Sequence, residues 1–388
     1  MATAIQRKAI VIGAGIGGLC TALSLHLKGW HVSVFERAAS LRESGAGIVL
    51  AANAMKALDL LGVGDTVRKV GASVTHGDIR TWDGQIITSL PVAKQAALYG
   101  TQSYVILRAD LQSILVKAVT ATTNIHTNKS WMDSKQSDQG IIAVFEDGTE
   151  ENGDVIIGAD GIHSAVRERL FGHSMERYSG YIALRGVCQY EASQAADDGV
   201  GFEALGPGKR FGLSSLGNGR AFWFAAINAR QGNLPQVGER KSELLRQFHG
   251  WHSPILTAIE ATEASTILAH NIVDRPPIPT WSSGRITLLG DAAHPMLPNL
   301  GQGGAQAIED AIVLARCLQH SDIPAALTAY EKERMPRVNR ITKMSRSMGR
   351  IVQLENPLLI YSRNKLLASL SDALYIRRFD PIIGYEVQ

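Results

Sequence analysis

The glycines of Gly13-Ala14-Gly15-Ile16-Gly17-Gly18 could cradle a phosphate, provided they stand where a strand turns into a helix. Ala9 to Ile12 is a short apolar run suited to a buried strand, and Leu19 to Leu27 carries the apolar spacing of a helix, so the context is met. Gly13 permits the tight turn, Gly15 lets backbone approach a pyrophosphate, and Gly18 lets helix pack on strand. The helix N-terminus adds unpaired N–H groups and a partial positive charge. A second strand, His31 to Phe35, then delivers Glu36 with Arg37 beside it. An acidic residue about 20 positions past the glycines holds a ribose hydroxyl and repels a 2′-phosphate, which favours the adenosine of FAD or NAD.

Two later segments have the same character. Gly158-Ala159-Asp160-Gly161-Ile162-His163-Ser164 follows the run Val155 to Ile157 and opens a helix with Val166 and Arg167; read alone, it is also a plain turn with an aspartate cap. The strand Arg285 to Leu289 ends at Gly290-Asp291-Ala292-Ala293-His294-Pro295. Pro298-Asn299-Leu300-Gly301-Gln302-Gly303-Gly304 then leads into a helix from Ala305 to Leu318. In this order the three segments resemble the FAD-dependent class A monooxygenases of the aromatic-ring hydroxylase, salicylate hydroxylase-like kind, over essentially the whole chain.

The resemblance implies a cofactor site in which Gly13, Gly15, Gly18, Glu36 and Arg37 serve the adenosine end. Asp160 would lie near the pyrophosphate and the path of the pyridine nucleotide, and Asp291 would bond the ribityl chain. Gly301, Gln302, Gly303 and Gly304 would face the isoalloxazine ring, with a helix N-terminus stabilising negative charge on the reduced flavin. Arg108, opening a helix in Leu107-Arg108-Ala109-Asp110-Leu111, and Arg42, just before Gly45-Ala46-Gly47-Ile48, match arginines placed against FAD; Gly47 would give that loop room beside the ring. His294 is read as a structural histidine beneath the flavin, with a role as base the alternative.

The implied reaction hydroxylates or epoxidises a small, aromatic or polycyclic substrate with O2, through a flavin C4a-hydroperoxide shielded from water. With no second nucleotide fold, NADH or NADPH would bind transiently. The catalytic side chain is unknown, and the candidates are Arg185, Arg210, Trp223 and Pro298. In Phe222-Trp223-Phe224 strand alternation lets one parity alone face the ligand, and Trp223 is the boldest choice. Arg210 would pair with an anionic substrate or lie on the surface at a hairpin start. Two rival functions share parts of the pattern: a flavin-dependent reductase of the geranylgeranyl-reductase type, and a non-catalytic binding protein such as a GDP-dissociation inhibitor.

The elements that must position these residues suggest an α/β fold: a Rossmann-type FAD-binding domain, an inserted, mostly antiparallel substrate-domain sheet, and C-terminal helices. The expected division is 1–75, 101–172 and 277–330 for the discontinuous FAD-binding domain, 76–100 and 173–276 for the substrate domain, and 331–388 for the helical end. Ile79 to Leu90 reads as a hairpin around Asp83-Gly84, and Ile141 to Phe145 with Asp154 to Ile157 reads as another. Arg337, Arg340, Lys343, Arg346 and Arg350 share one side of a helix running to about Leu354, a solvated face or a guide for NAD(P)H or an acidic membrane.

A formal charge of +3 over 388 residues makes no case for nucleic acid, and three cysteines form neither a metal nor a disulfide pattern. Arg7 and Lys8 before an uncharged run to Leu25 could be taken for a signal or anchor, but four glycines weaken a spanning helix. A cytoplasmic monomer or homodimer without stable membrane insertion is expected. No His or Cys stands in a recognisable flavin-linking motif, so acid denaturation should release free FAD into the supernatant, and a yellow pellet would refute non-covalent binding.

Overall fold

Strands that are apolar on both faces belong at the centre of a parallel sheet covered by helices. Lys8–Ile12 occupies that place, pairing in parallel with His31–Phe35 on one side and Val155–Gly158 on the other. The six-stranded order is Ser282–Ser283, Ile286–Leu288, Val155–Gly158, Lys8–Ile12, His31–Phe35, Asn124–His126. Helices Ile16–Leu27 and Gly303–His320 share one apolar core with it. The computed structural model describes residues 7–41, 46–137, 140–190, 199–320 and 322–387, so Arg42 and Gly45 lie outside the described residues.

One expected hairpin is corrected. Gly140–Phe145 pairs antiparallel with Glu150–Gly153, whereas Val155–Gly158 leaves that hairpin and enters the parallel sheet. Its uninterrupted Val-Ile-Ile run is buried on both faces, which suits a central strand and not a half-exposed hairpin arm.

The second sheet has seven strands in the order Leu268–Asp274, Arg177–Gln189, Arg220–Asn228, Lys209–Gly217, Val200–Gly206, His76–Thr81, Ile86–Ser89. Every pairing in it is antiparallel except that of Val200–Gly206 with His76–Thr81. Its two faces are both apolar and face different neighbours. Ile182, Leu184, Phe211, Leu213 and Trp223 pack against Leu244 of helix Arg240–Gln247 and Ile255 and Ile259 of helix Ser253–Glu260. On the other face Tyr181 and Ala183 meet Leu297, and Phe222 meets Ala46 and Val105 of the flavin-motif body.

Trp223 therefore lies on the face packed against these helices. It is fully buried, its Nε1 donates to Thr262 Oγ1 at 2.8 Å, and its ring stacks on Phe211 at 5.5 Å. Phe222 and Phe224 take the inward parity, because register with Val187 and Arg185 fixes which face each residue of the strand presents.

The chain ends in helices Ile323–Val352, Pro357–Ala368 and Asp372–Ile383. The basic stripe on the first is only partly a solvated face. Arg337 is bonded to Glu309 and to the carbonyls of Pro381 and Ile382, and Arg346 pairs with Asp274 at 2.8 Å, leaving Arg340, Lys343 and Arg350 exposed. Periodicity placed these residues on one side but carried no information about the acids that other segments bring there. Among the described residues no helix is long and apolar enough to cross a membrane.

Truncating Trp223 removes a large core ring and a buried hydrogen bond. Trp223→Ala should lower the unfolding free energy by about 3–5 kcal/mol in denaturant titrations while the FAD-to-protein ratio of the folded fraction stays that of the wild type. Unchanged stability with altered ligand binding would return Trp223 to the cleft.

Candidate functional site

The three glycine segments converge because each is packed into its neighbour without room for a side chain. Gly13 has φ +104° and donates its N–H to Phe35 O at 2.7 Å; a Cβ there would stand 2.5 Å from Ala159 O, so first and second segments abut. A Cβ on Gly18 would lie 1.9 Å from Gly13 O, which is the close helix-on-turn contact the sequence suggests. A Cβ on Gly17 would meet Leu289 Cδ2 at 2.9 Å and Ala307 Cβ at 3.3 Å, joining the first segment to the third. Gly15, by contrast, has no atom within 4 Å of its Cβ position and faces open space at the helix N-terminus.

Glu36 has a structural task in this arrangement. Oε2 accepts from Ala14 N–H and Oε1 from Ala38 N–H, both at 2.9 Å, so the carboxylate fixes the glycine turn it faces. Arg37 beside it is exposed. Buried Gln112 supports the turn from below, donating Nε2 to Ala14 O at 3.1 Å. In the second segment Asp160 Oδ2 accepts from Val166 N–H at 3.3 Å, while Oδ1 is buried with no hydrogen-bond partner among the described residues. Burial lifts this carboxyl above its usual range, against the opposing pull of Ser164 and the backbone N–H groups of the next helix.

Arg167 ties the second segment to the third. Nearly fully buried, it donates Nη1 to the carbonyls of Ala292 and Ala293 at 3.1 and 3.0 Å. Asp291 itself exposes its carboxylate to the cleft although protein closes around it on the other sides; burial raises its pKa, and His294 and Arg108 oppose the rise. Gly301 has φ +62° and open space at its Cβ position, and Gly304 lies so close to Ile48 that a Cβ would come within 2.7 Å of Cδ1. Gly47 likewise accommodates the Phe222 ring, whose Cγ would stand 2.4 Å from an added Cβ.

Beneath the glycine loop lies a buried charge network. Arg334, with no exposed surface, donates Nε to Asp310 Oδ1 and Nη1 to Glu309 Oε2, each at 2.6 Å, and Nη2 to Gln306 Oε1 at 2.8 Å. Asp310 also takes the Gly290 N–H at 3.1 Å and meets His294 Nε2 at 2.5 Å. Glu309 is held by Arg337 and by Asn53 Nδ2, and the same Asn53 nitrogen donates to Gln302 Oε1. His294 is thus turned into this network, the structural placement its sequence context favoured.

Opposite the loop, Arg210 is buried and not on the surface. It donates to Glu203 Oε1 at 2.9 Å and to Asn299 Oδ1, with its guanidinium 5.4 Å from the centre of the Phe224 ring. Asn299 also accepts from Tyr181 OH at 2.9 Å, so the sheet is anchored on the Pro298–Leu300 turn, where Pro298 is exposed. Arg108 opens helix Arg108–Thr120 with its N–H on Ala46 O.

With this geometry in place, the chain matches the FAD binding domain family over residues 6–345. The chain belongs to that family. It is 41% identical over 363 residues to an aurachin C monooxygenase/isomerase of Stigmatella aurantiaca, covering 93% of this chain and 94% of the relative. A 6-hydroxynicotinate 3-monooxygenase of Pseudomonas fluorescens is 32% identical over 86% of this chain and 89% of its own. Klebsiella pneumoniae HpxO, solved with FAD and uric acid, superposes with a TM-score of 0.91 at 30% identity over 97% of both chains.

This family member is an FAD-dependent flavoprotein monooxygenase. The cleft fits the dinucleotide on its own terms: an orphaned acceptor on Asp160, an open Gly15 at a helix N-terminus, and a carboxylate on Asp291 turned to the cleft. Sequence reasoning missed Gln112, Arg167, Arg334 and Asn53. Only the unusual Glu309-Asp310 pair within an apolar helix signalled that a buried cation would be needed there.

Burial pushes Asp310 up, but the charges and hydrogen bonds of His294 and Arg334 outweigh it and leave the carboxyl at about 2, below the ordinary 3.8. A depressed folded-state value contributes stability that is present above pH 4 and lost as pH falls toward 2. Asp310→Asn should cost roughly 3–5 kcal/mol at neutral pH, since it leaves Arg334 short of a partner, and should flatten the acid limb of an unfolding-versus-pH curve. An unchanged acid limb would exclude the network as its source.

Proposed function

We propose that this protein uses NAD(P)H and O2 to add one oxygen atom to a small aromatic or polycyclic molecule held between the glycine loop and the seven-stranded sheet. The observation that carries this reading is the convergence of Gly13–Gly18, Asp160 and Asp291 on one cleft whose far wall is an apolar, aromatic sheet face. The monooxygenase relatives support it and do not support the reductase or the binding protein.

In this reading the N-terminus of helix Ile16–Leu27 would hold the pyrophosphate, Asp291 the ribityl chain, and Gly301, Gln302, Gly303 and Gly304 the ring. FAD, when bound, supplies the redox chemistry, taking a hydride from the pyridine nucleotide and activating O2. The N-terminus of helix Gly303–His320 offers a positive dipole to negative charge on the ring, and Gln302 is held in place by Asn53. Phe222 and Phe224 exclude water from the substrate side. A cavity of about 460 Å³ bordered by His163, Ser164, Arg167, Glu168, Glu176 and Arg275 adjoins the Asp160 segment and is where this reading places the nicotinamide nucleotide.

The proposed division keeps 76–100 and 173–276 as the substrate domain, supported by the pairing of His76–Thr81 with Val200–Gly206 across the intervening sequence. Residues 331–388 then buttress the flavin loops through Arg334 and Arg337. The thiols of Cys20, Cys188 and Cys317 are free, which supports a reducing, cytoplasmic setting.

Incubation with NADH or NADPH and a panel of aromatic compounds should give a product heavier by one oxygen; nucleotide oxidation with unmodified or hydrogenated compounds would favour the reductase. Asp291→Ala should bind FAD roughly 10- to 150-fold more weakly, the equivalent of about 1.5–3 kcal/mol for a charge-assisted hydrogen bond, and more weakly than His294→Ala, whose ring faces Asp310. Equal flavin absorbance per protein in Asp291→Ala and wild type would remove Asp291 from the site.

A further inference from the structure

The sheet face turned to the flavin-motif body holds a cation that no carboxylate among the described residues neutralises. Arg185 pairs in register with Phe224 and Leu268, on the face that carries Ala183 and Val187 toward the flavin-motif body and away from the core around Trp223. It is only partly exposed and has no hydrogen bond or ion pair among the described residues. Burial lowers the basicity of its guanidinium, and the nearby positive charges of Arg108 and Arg210 lower it further. Of the carboxylates on that face, Glu203 on the strand Val200–Gly206 is already bonded to Arg210, and Asp274 on the adjoining strand Leu268–Asp274 is bonded to Arg177 and Arg346. His270 faces the same group from the neighbouring strand, and its pKa is lowered by burial and by Arg185 and Arg240, so it adds no compensating negative charge.

A half-buried, unpaired arginine beside two others is costly unless an anion joins it, and its planar fork matches a carboxylate or an enolate-type oxygen. The surface next to it is flat. Phe224 lies over Gly212, where a Cβ would come within 2.1 Å of Cε1, and Phe222 lies over Gly47. We infer that the cleft takes its aromatic substrate as an anion, with the negatively charged oxygen received by Arg185 while the ring lies along Phe224. This rests on the monooxygenase reading and specifies its substrate class. An anion at Arg185 has two sources, the substrate or the reduced flavin ring. The substrate is the one chosen, because Arg185 sits on the sheet wall, whereas the ring's charge is already served by the N-terminus of helix Gly303–His320.

The test measures binding to the oxidised holoenzyme from flavin absorbance changes, so it needs no turnover and stands whether or not oxygen is later inserted. The probes are matched pairs: quinoline-4-carboxylate with quinoline-4-carboxamide, and 1-hydroxy-2-naphthoate with its amide. Wild type should bind at least one acid about 10-fold or more tightly than its amide. Arg185→Gln should abolish that preference with unchanged FAD content and flavin midpoint potential, and Arg185→Lys should retain part of it. Wild type that binds amides as well as acids overturns the inference without any variant. So does an Arg185→Gln protein that keeps the preference, or one that keeps it while losing FAD or shifting the potential, which would assign Arg185 to the flavin. Failure of the monooxygenase reading would show separately, as a missing gain of one oxygen in product mass.

Discussion

Arg334 is the hinge on which the cofactor loops depend. A guanidinium with no exposed surface must be neutralised where it lies, and Glu309 and Asp310 do so from within one turn of helix Gly303–His320. Arg337 adds a second positive charge on Glu309, so two cations face two anions. Breaking such a group strands a buried charge, at a cost far above that of a surface pair. The geometry is therefore over-determined, and it radiates outward: Asp310 fixes Gly290 and His294 of one loop, and Glu309 with Asn53 and Gln306 fixes Gln302 of the other. The long C-terminal helix, remote in sequence from any nucleotide motif, thus decides where the glycine loop points.

The second constraint is the two-sidedness of the seven-stranded sheet. One face is committed to helices Arg240–Gln247 and Ser253–Glu260 and has no chemistry left to offer. The other is anchored through Tyr181 and Arg210 onto Asn299, beside the glycine loop. Because pleating alternates side chains, a single register decides that Arg185, Phe222 and Phe224 share the face turned to the flavin-motif body while Trp223 does not. Two arginines of that face differ in their partners: Arg210 is bonded to Glu203 and Asn299, whereas Arg185 has no ion pair among the described residues.

The sequence alone determined what short-range sterics and local order can specify. Gly13 and Gly18 declare their roles because backbone conformation and close approach admit no other residue, and the resemblance of three ordered segments carried the family, the flavin and the α/β fold with its inserted sheet. Tertiary structure decided everything that depends on which remote segment arrives opposite. Val155–Gly158 joined the parallel sheet and not the adjacent hairpin; Trp223 went to the far core although Phe222 and Phe224 look the same in sequence; and Arg337 and Arg346, indistinguishable by period from Arg340 and Lys343, found buried acids. Burial and charge pairing are properties of contacts between distant parts of the chain, and periodicity records only which residues share a side.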